Sequence, residues 1–166
     1  MKNIILIFCV LLFLIKNSFS SEKTVFLDFN YILINSDKGI SISNELKSIN
    51  KKNIAQFKKI EEKLKKEEEK IVSSKNVISE DEFKKNISVL KKKILELNKL
   101  KRKKSNEVIN KRNMLNNELI TTLNQIVAKF AKDNEISFVL RKNSIVIGKS
   151  EYDITKIILK EINLIK

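Results

Sequence analysis

The sequence predicts an α+β chain that is mostly α, with a long antiparallel helical-hairpin arm on a small β-sheet base. Three observations carry that prediction. Leu46–Phe130 contains neither Pro nor Gly, so nothing in it interrupts a helix. Leu46, Ile49, Phe57, Ile60 and Leu64, and then Phe83, Ile87, Leu90, Ile94 and Leu97, fall at three- and four-residue steps or multiples of them. That spacing builds one narrow apolar stripe on each of two helices. Finally, β-branched and aromatic runs flank the stretch on both sides, as strands of a base would.

In chain order, Met1–Ser20 is expected to be a cleavable secretory signal. Lys2 supplies the positive start, Ile4–Ile15 the apolar run, and Ser18-Phe19-Ser20 the small residues at −3 and −1. A helix over Ile4–Ile15 covers ~18 Å, short of a ~30 Å hydrocarbon core. Cys9 lies inside that run, so the exported chain is expected to carry no cysteine and no disulfide. Lys23–Phe29 reads as a strand with Val25, Leu27 and Phe29 on one face. Phe26 on the other face suggests cover on both sides.

Tyr31–Ile34 predicts a helical turn and Asn35–Gly39 a break. The first arm helix should then start near Ile40–Ser43, with Ser43 as cap, and reach about Val72. Ser73–Asp81 holds the tip, and Ser79 with Glu82 matches a capping box opening the second helix. That helix should run to about Asp133. Its stripe lapses at Lys101–Glu107 and returns broader with Val108, Leu115, Leu119, Leu123, Ile126, Val127 and Phe130. The lapse reads either as a pivot or as a face turned to water. Ile136–Leu140 and Ser144–Ile147 predict two strands, and Asp153 an N-cap for a final helix over Ile154–Lys166. The base is thus 21–45 and 108–166, and the arm 46–107.

Composition removes most enzyme classes. There is no His, and the only Cys is Cys9, so no Cys/His zinc site or His-assisted nucleophile can form. Gly39 and Gly148 are the only glycines, too few for a phosphate-cradling loop. No metal, cofactor or catalytic residue is expected. The net charge is +14, and Lys47–Arg112 alone carries 22 basic and 10 acidic residues, a difference of +12. The field sits on the arm. Its densest positions are Lys84, Lys85, Lys91, Lys92, Lys93, Lys101, Arg102, Lys103 and Lys104. Taken singly these read as a solvated helix face. Phe57 and Phe83, near-mirror positions about the tip, read as seam packing, and Glu67-Glu68-Glu69 as partners for lysines on their own helix. Val25, Leu27, Phe29, Phe138, Leu140 and Val146 read as core.

The order of parts resembles the Skp/OmpH family of periplasmic chaperones. KTVFLDFNYILINSDKG at the N-terminus is similar to the family's opening strand, with Asp28 at its usual acid. EISFVLRKNSIVIGKSEYDITKIILKEIN is similar to its close, where Asp153-Ile154-Thr155 precedes an amphipathic helix. The resemblance implies a "jellyfish" homotrimer: a base assembled from three chains, and three arms around a cavity. Some of the six core residues above would then lie at the trimer interface. It also implies a function, holding unfolded outer-membrane proteins in the periplasm without ATP before membrane assembly. On electrostatic grounds, not from the resemblance, the nine arm cations are expected to act together as the client-facing field, with anionic lipid or lipopolysaccharide as a further contact and no specific nucleic acid. A second reading from the residues alone is a secreted basic coiled-coil envelope protein, acting as a spacer or binding anionic polymers or lipids.

Overall fold

The computed structural model describes residues 22–165; the signal expected over Met1–Ser20 lies outside the described residues. The order is β1 (Lys23–Leu27), α1 (Phe29–Asn35), α2 (Asp37–Ser74), α3 (Glu80–Asp133), β2 (Ile136–Arg141) and α4 (Thr155–Leu164). Single 3-10 turns at Lys142–Ser144 and Ser150–Tyr152 connect β2 to α4. The fold is α+β and mostly α, with two long helices and a small sheet.

β1 ends two residues earlier than the sequence suggests, because Asp28 caps a helix. Its Oδ1 accepts a hydrogen bond from the Tyr31 amide at 2.9 Å. Phe29 therefore opens α1 and is not a strand residue. One residue, Ser36, separates α1 from α2. It is fully buried; its amide donates to Ile32 O at 2.9 Å, closing α1, and its Oγ accepts from the Gly39 amide at 3.1 Å, opening α2. The break expected over Asn35–Gly39 shrinks to that residue, and the cap is Ser36 rather than Ser43, which lies inside α2. Asp37 supplies the acid that the first turn of the helix favours. Gly39 is required here for close approach, since a Cβ would sit 1.8 Å from Leu33 O.

At the tip, Ser79 Oγ accepts from the Glu82 amide at 3.3 Å, so α3 opens at the cap that the sequence marks. α3 then runs unbroken through Lys101–Glu107 to Asp133. It stops where Asn134 Nδ2 donates back to Phe130 O at 2.9 Å and Glu135 turns left-handed at φ 54°. This reversal sends β2 alongside β1, and the two pair in parallel with a register shift after Lys23.

Among the described residues, the sheet has two strands and not the three expected from sequence. Ser144–Ile147 forms no strand: Lys142–Ser144 coils into a 3-10 turn, closed by Ile145 N–H donating to Lys142 O at 3.1 Å. A lone extended segment has its ladder groups unpaired, and among the described residues no third strand position is filled. The 153–154 segment instead touches β1, with Ile154 N–H donating to Phe26 O at 2.9 Å.

The core gathers residues far apart in sequence: Val25 and Leu27, Ile32, Ile42 and Leu46, Val108, Leu119, Leu123 and Val127, then Ile154, Ile158 and Ile162. Leu115, Ile126 and Phe130 pack against it, so the broad lower stripe of α3 is a core face. Leu46 and Val108 are the outermost core members on the two long helices; beyond them the hairpin stands alone.

Two expectations follow. Ser36→Ala should cost about 1–2 kcal/mol in urea unfolding, the loss of a buried cap. Glu135→Gly should stabilise by about 1 kcal/mol, read as a raised thermal midpoint, because a Cβ is unfavourable in the left-handed region.

Candidate functional site

The arm is α2 against α3 from Lys47 to Glu107. Its seam is thin. The buried apolar side chains there are Ile71, Leu90 and Leu97, with Phe57, Ile60, Leu64 and Phe83 half-buried. At about 1.5–3 kcal/mol per fully buried side chain, this holds the helices together with little surplus per turn. Ion pairs across the seam supplement it: Lys93 with Glu67 and Lys101 with Glu61, each at 2.5 Å, and Lys111 with Glu45. Toward the tip the residue numbers rise on α2 as they fall on α3, as an antiparallel register requires. Glu67 thus pairs across the hairpin and not along its own helix.

The nine arm cations divide. Lys93 and Lys101 belong to the seam. Lys101 Nζ also lies 6.0 Å from the centroid of the Phe57 ring, so a lysine stem occupies the place of the lapsed apolar stripe. Lys104 pairs with Glu107 at 2.7 Å, and its hydrogen bond holds the Glu107 carboxyl below its ordinary range. Lys84 pairs with Glu80 along α3 at 2.6 Å. Among the described residues, Lys85, Lys91, Lys92, Arg102 and Lys103 make no ion pair, and all five are exposed. Ile54, Val72, Val89, Ile94, Leu95 and Ile109 are also exposed on the arm, and Val77 at the tip.

The six residues expected as core also divide. Val25 and Leu27 are buried in the chain's own core, and Phe29 packs on its margin with the Arg141 guanidinium 5.3 Å from its ring centroid. Phe138 and Leu140 are 53% and 45% exposed, and Val146 97%, so these three are not core of the single chain. Phe138 pairs with Thr24 and Leu140 with Phe26, which puts them on one face of the sheet. Ile147, 92% exposed, lies by the same face with Ile145 and Tyr152. The base thus carries an uncovered apolar face.

A family model for outer membrane protein (OmpH-like) matches residues 23–162, nearly the whole described chain. The chain belongs to the OmpH-like family. Among solved structures, the fold is similar to a candidate OmpH-like outer membrane chaperone from Caulobacter crescentus CB15. The TM-score is 0.81 at 16% identity, over 85% of this chain and 83% of that one. No curated protein matches the sequence.

In this OmpH-like chain, the Asp28 and Asp153-Ile154-Thr155 positions meet in one hydrogen-bonded knot. Asp28 N–H donates to Thr155 Oγ1 at 2.9 Å, and the Thr155 hydroxyl donates to Asp153 Oδ1. Asp153 Oδ1 also accepts from the Thr155 amide at 2.9 Å, while Lys142 Nζ reaches Oδ2 at 2.6 Å. Asp153 is therefore not the N-cap residue expected from sequence; that place is Ile154, and Asp153 acts one position earlier. Burial pushes the Asp153 carboxyl up, but the hydrogen bonds from Lys142 and Thr155 and the Lys142 charge outweigh it and hold it below its usual range. The same contact raises Lys142. Among the described residues, no group of His, Cys, Asp and Glu is placed to hold a metal, and no helix is long and apolar enough to cross a membrane.

A carboxyl with a depressed folded pKa contributes stability that is present above its unfolded value, near 4, and lost as pH falls through the folded one. Asp153→Asn should therefore cost about 1–2 kcal/mol at pH 7. The difference from the parent should shrink as unfolding is measured at successively lower pH below about 4.

Proposed function

We propose that this OmpH-like chain is an ATP-independent periplasmic holdase: it binds unfolded outer-membrane proteins and keeps them from aggregating before membrane assembly. The observation that carries the reading is the arm surface. Isolated apolar side chains, Ile54, Val89, Ile94, Leu95 and Ile109, stand exposed among cations that lack carboxylate partners. Such a surface makes many weak apolar contacts without one deep site, which suits a client that must remain exchangeable. The cations draw acidic chains from a distance, over about 8–10 Å in physiological salt. The thin seam lets the two helices part at low cost, so the arm can adapt to clients of different size.

The working unit is a homotrimer. Phe138, Leu140 and Ile147 form an apolar face that a single chain leaves in water, Val146 is exposed next to Ile147 in the chain, and the two-stranded sheet has room for further strands. Copies meeting on that face complete the base and set three arms around a cavity. The exported chain acts in the periplasm, in agreement with the expected signal and with the family. The unpaired arm cations also favour contact with anionic lipid or lipopolysaccharide.

The test is light scattering of a urea-diluted outer-membrane barrel protein, with native mass spectrometry of residues 21–166 alone and with that client. A trimer carrying one client and suppressing scatter is expected. Reversing Lys85, Lys91, Lys92, Arg102 and Lys103 to Glu should slow capture about tenfold and flatten its salt dependence. Unaltered capture by that variant would remove the cations from the mechanism, and a monomer or dimer that ignores the client would remove the holdase.

A further inference from the structure

At the root of the arm, one side of the α2–α3 hairpin carries a long open groove. A wider stretch of about 630 Å³ lies between Ile34, Ile40 and Lys47 on one wall and Arg112, Asn116 and Ile120 on the other. A narrower stretch of about 210 Å³ continues it outward past Ile54 and Ile109 to Phe57. Asn50 and Arg112 line both, so the two are continuous.

Three properties of the groove point the same way. No carboxylate lines either stretch. The nearby acids are already engaged, Glu45 by Lys111, Glu118 by Lys38 and Glu61 by Lys101, whereas Lys47 and Arg112 make no side-chain ion pair or hydrogen bond among the described residues. Two unengaged cations thus face an acid-free channel, whose other lining cations, Lys101 and Lys104, are taken by Glu61 and Glu107. Ile34, Ile40, Ile54 and Ile109 are exposed along it, separated by the amides of Asn44, Asn50, Asn53 and Asn116. A carboxamide both donates and accepts, so a row of them can satisfy the backbone of an extended chain whatever its sequence.

We propose that this groove binds an extended, apolar segment of the unfolded client that carries carboxylates, with the acids on Lys47 and Arg112. The proposal rests on the holdase reading and gives it a defined site, apart from the diffuse field nearer the tip. The occupant follows from charge complementarity: Lys47 and Arg112 call for anions, the isoleucines for apolar side chains, and the amides for unpaired backbone. Ile40 to Phe57 spans ~26 Å at 1.5 Å per residue, the length of about eight residues of extended chain.

The test uses the full exported chain and a dye-labelled nine-residue peptide alternating Ile with Glu and Ser, with Lys in place of Glu as counter-probe. Fluorescence anisotropy should show the Glu peptide bound and the Lys peptide not. The double variant K47E/R112E, checked for unchanged helicity, should weaken the Glu peptide about tenfold and gain the Lys peptide. That exchange of preference cannot come from misfolding. Equal binding of both peptides by parent and variant overturns the groove, as does a photo-crosslinker at Asn50 joining two copies of the chain without peptide, which makes a second copy the occupant. Scatter suppression is read separately with the barrel protein. A held client without the peptide exchange sinks the groove alone; a clear exchange without a held client keeps the groove and sinks the holdase.

Discussion

The base closes where the end of β1 meets the start of α4, through the Thr155 hydroxyl and the Ile154 N–H bond to Phe26 O. Thr155, buried, accepts from the backbone of Asp28 and donates to Asp153, so the end of β1 and the start of α4 are held together across almost the whole chain. Everything between them, the helical hairpin and β2, is an excursion that leaves this point and returns to it. That closure helps to seat Ile154, Ile158 and Ile162 in the core, and α4 has other polar attachments. One is the Asn163 side chain accepting from the Asp37 amide at 3.0 Å. Lys142 extends the knot to the turn that follows β2, so the segment leading to the exposed Val146 and Ile147 departs from a fixed origin.

The base and the arm solve opposite problems with the same two helices. In the base, α2 and α3 share a broad apolar surface with a sheet and two further helices, and the packing is many-sided. Past Leu46 and Val108 they have only each other. A two-helix seam buries one narrow stripe, and here part of even that stripe is lysine stem over Phe57. Cross-seam ion pairs this exposed contribute little to stability but penalise other registers, because a slip would set like charges together. The result is a base packed from many sides and an arm held by one narrow seam.

Much of this architecture is legible in local sequence. Long Pro- and Gly-free runs, an apolar step of three and four, and Ser79 before Glu82 give α3 its start, its length and its inward face. The widening of the stripe below Val108 marks where arm becomes base. Ser36 was equally readable in principle, since it precedes Asp37 and Gly39, but Ser43 before Asn44-Glu45 offers the same local signal. Only the approach of Gly39 to Leu33 O decides between them. The Lys101–Glu107 lapse looks like a defect in one dimension; Glu61 and Phe57, some forty residues away in sequence, make it part of the seam.

The sequence by itself determined the helices and their polarity, because propensity, capping and periodicity act over a few residues and need no distant partner. It also placed the positive field on the arm, since charge follows composition. Tertiary structure alone decided three things: which cations are spent on the seam, which strand-like segments pair, and which apolar residues stay wet. Ile136–Arg141 finds β1 and becomes a strand, while Ser144–Ile147, with comparable β propensity, finds no neighbour among the described residues and does not. The physical reason is that a helix satisfies its own backbone and a strand cannot.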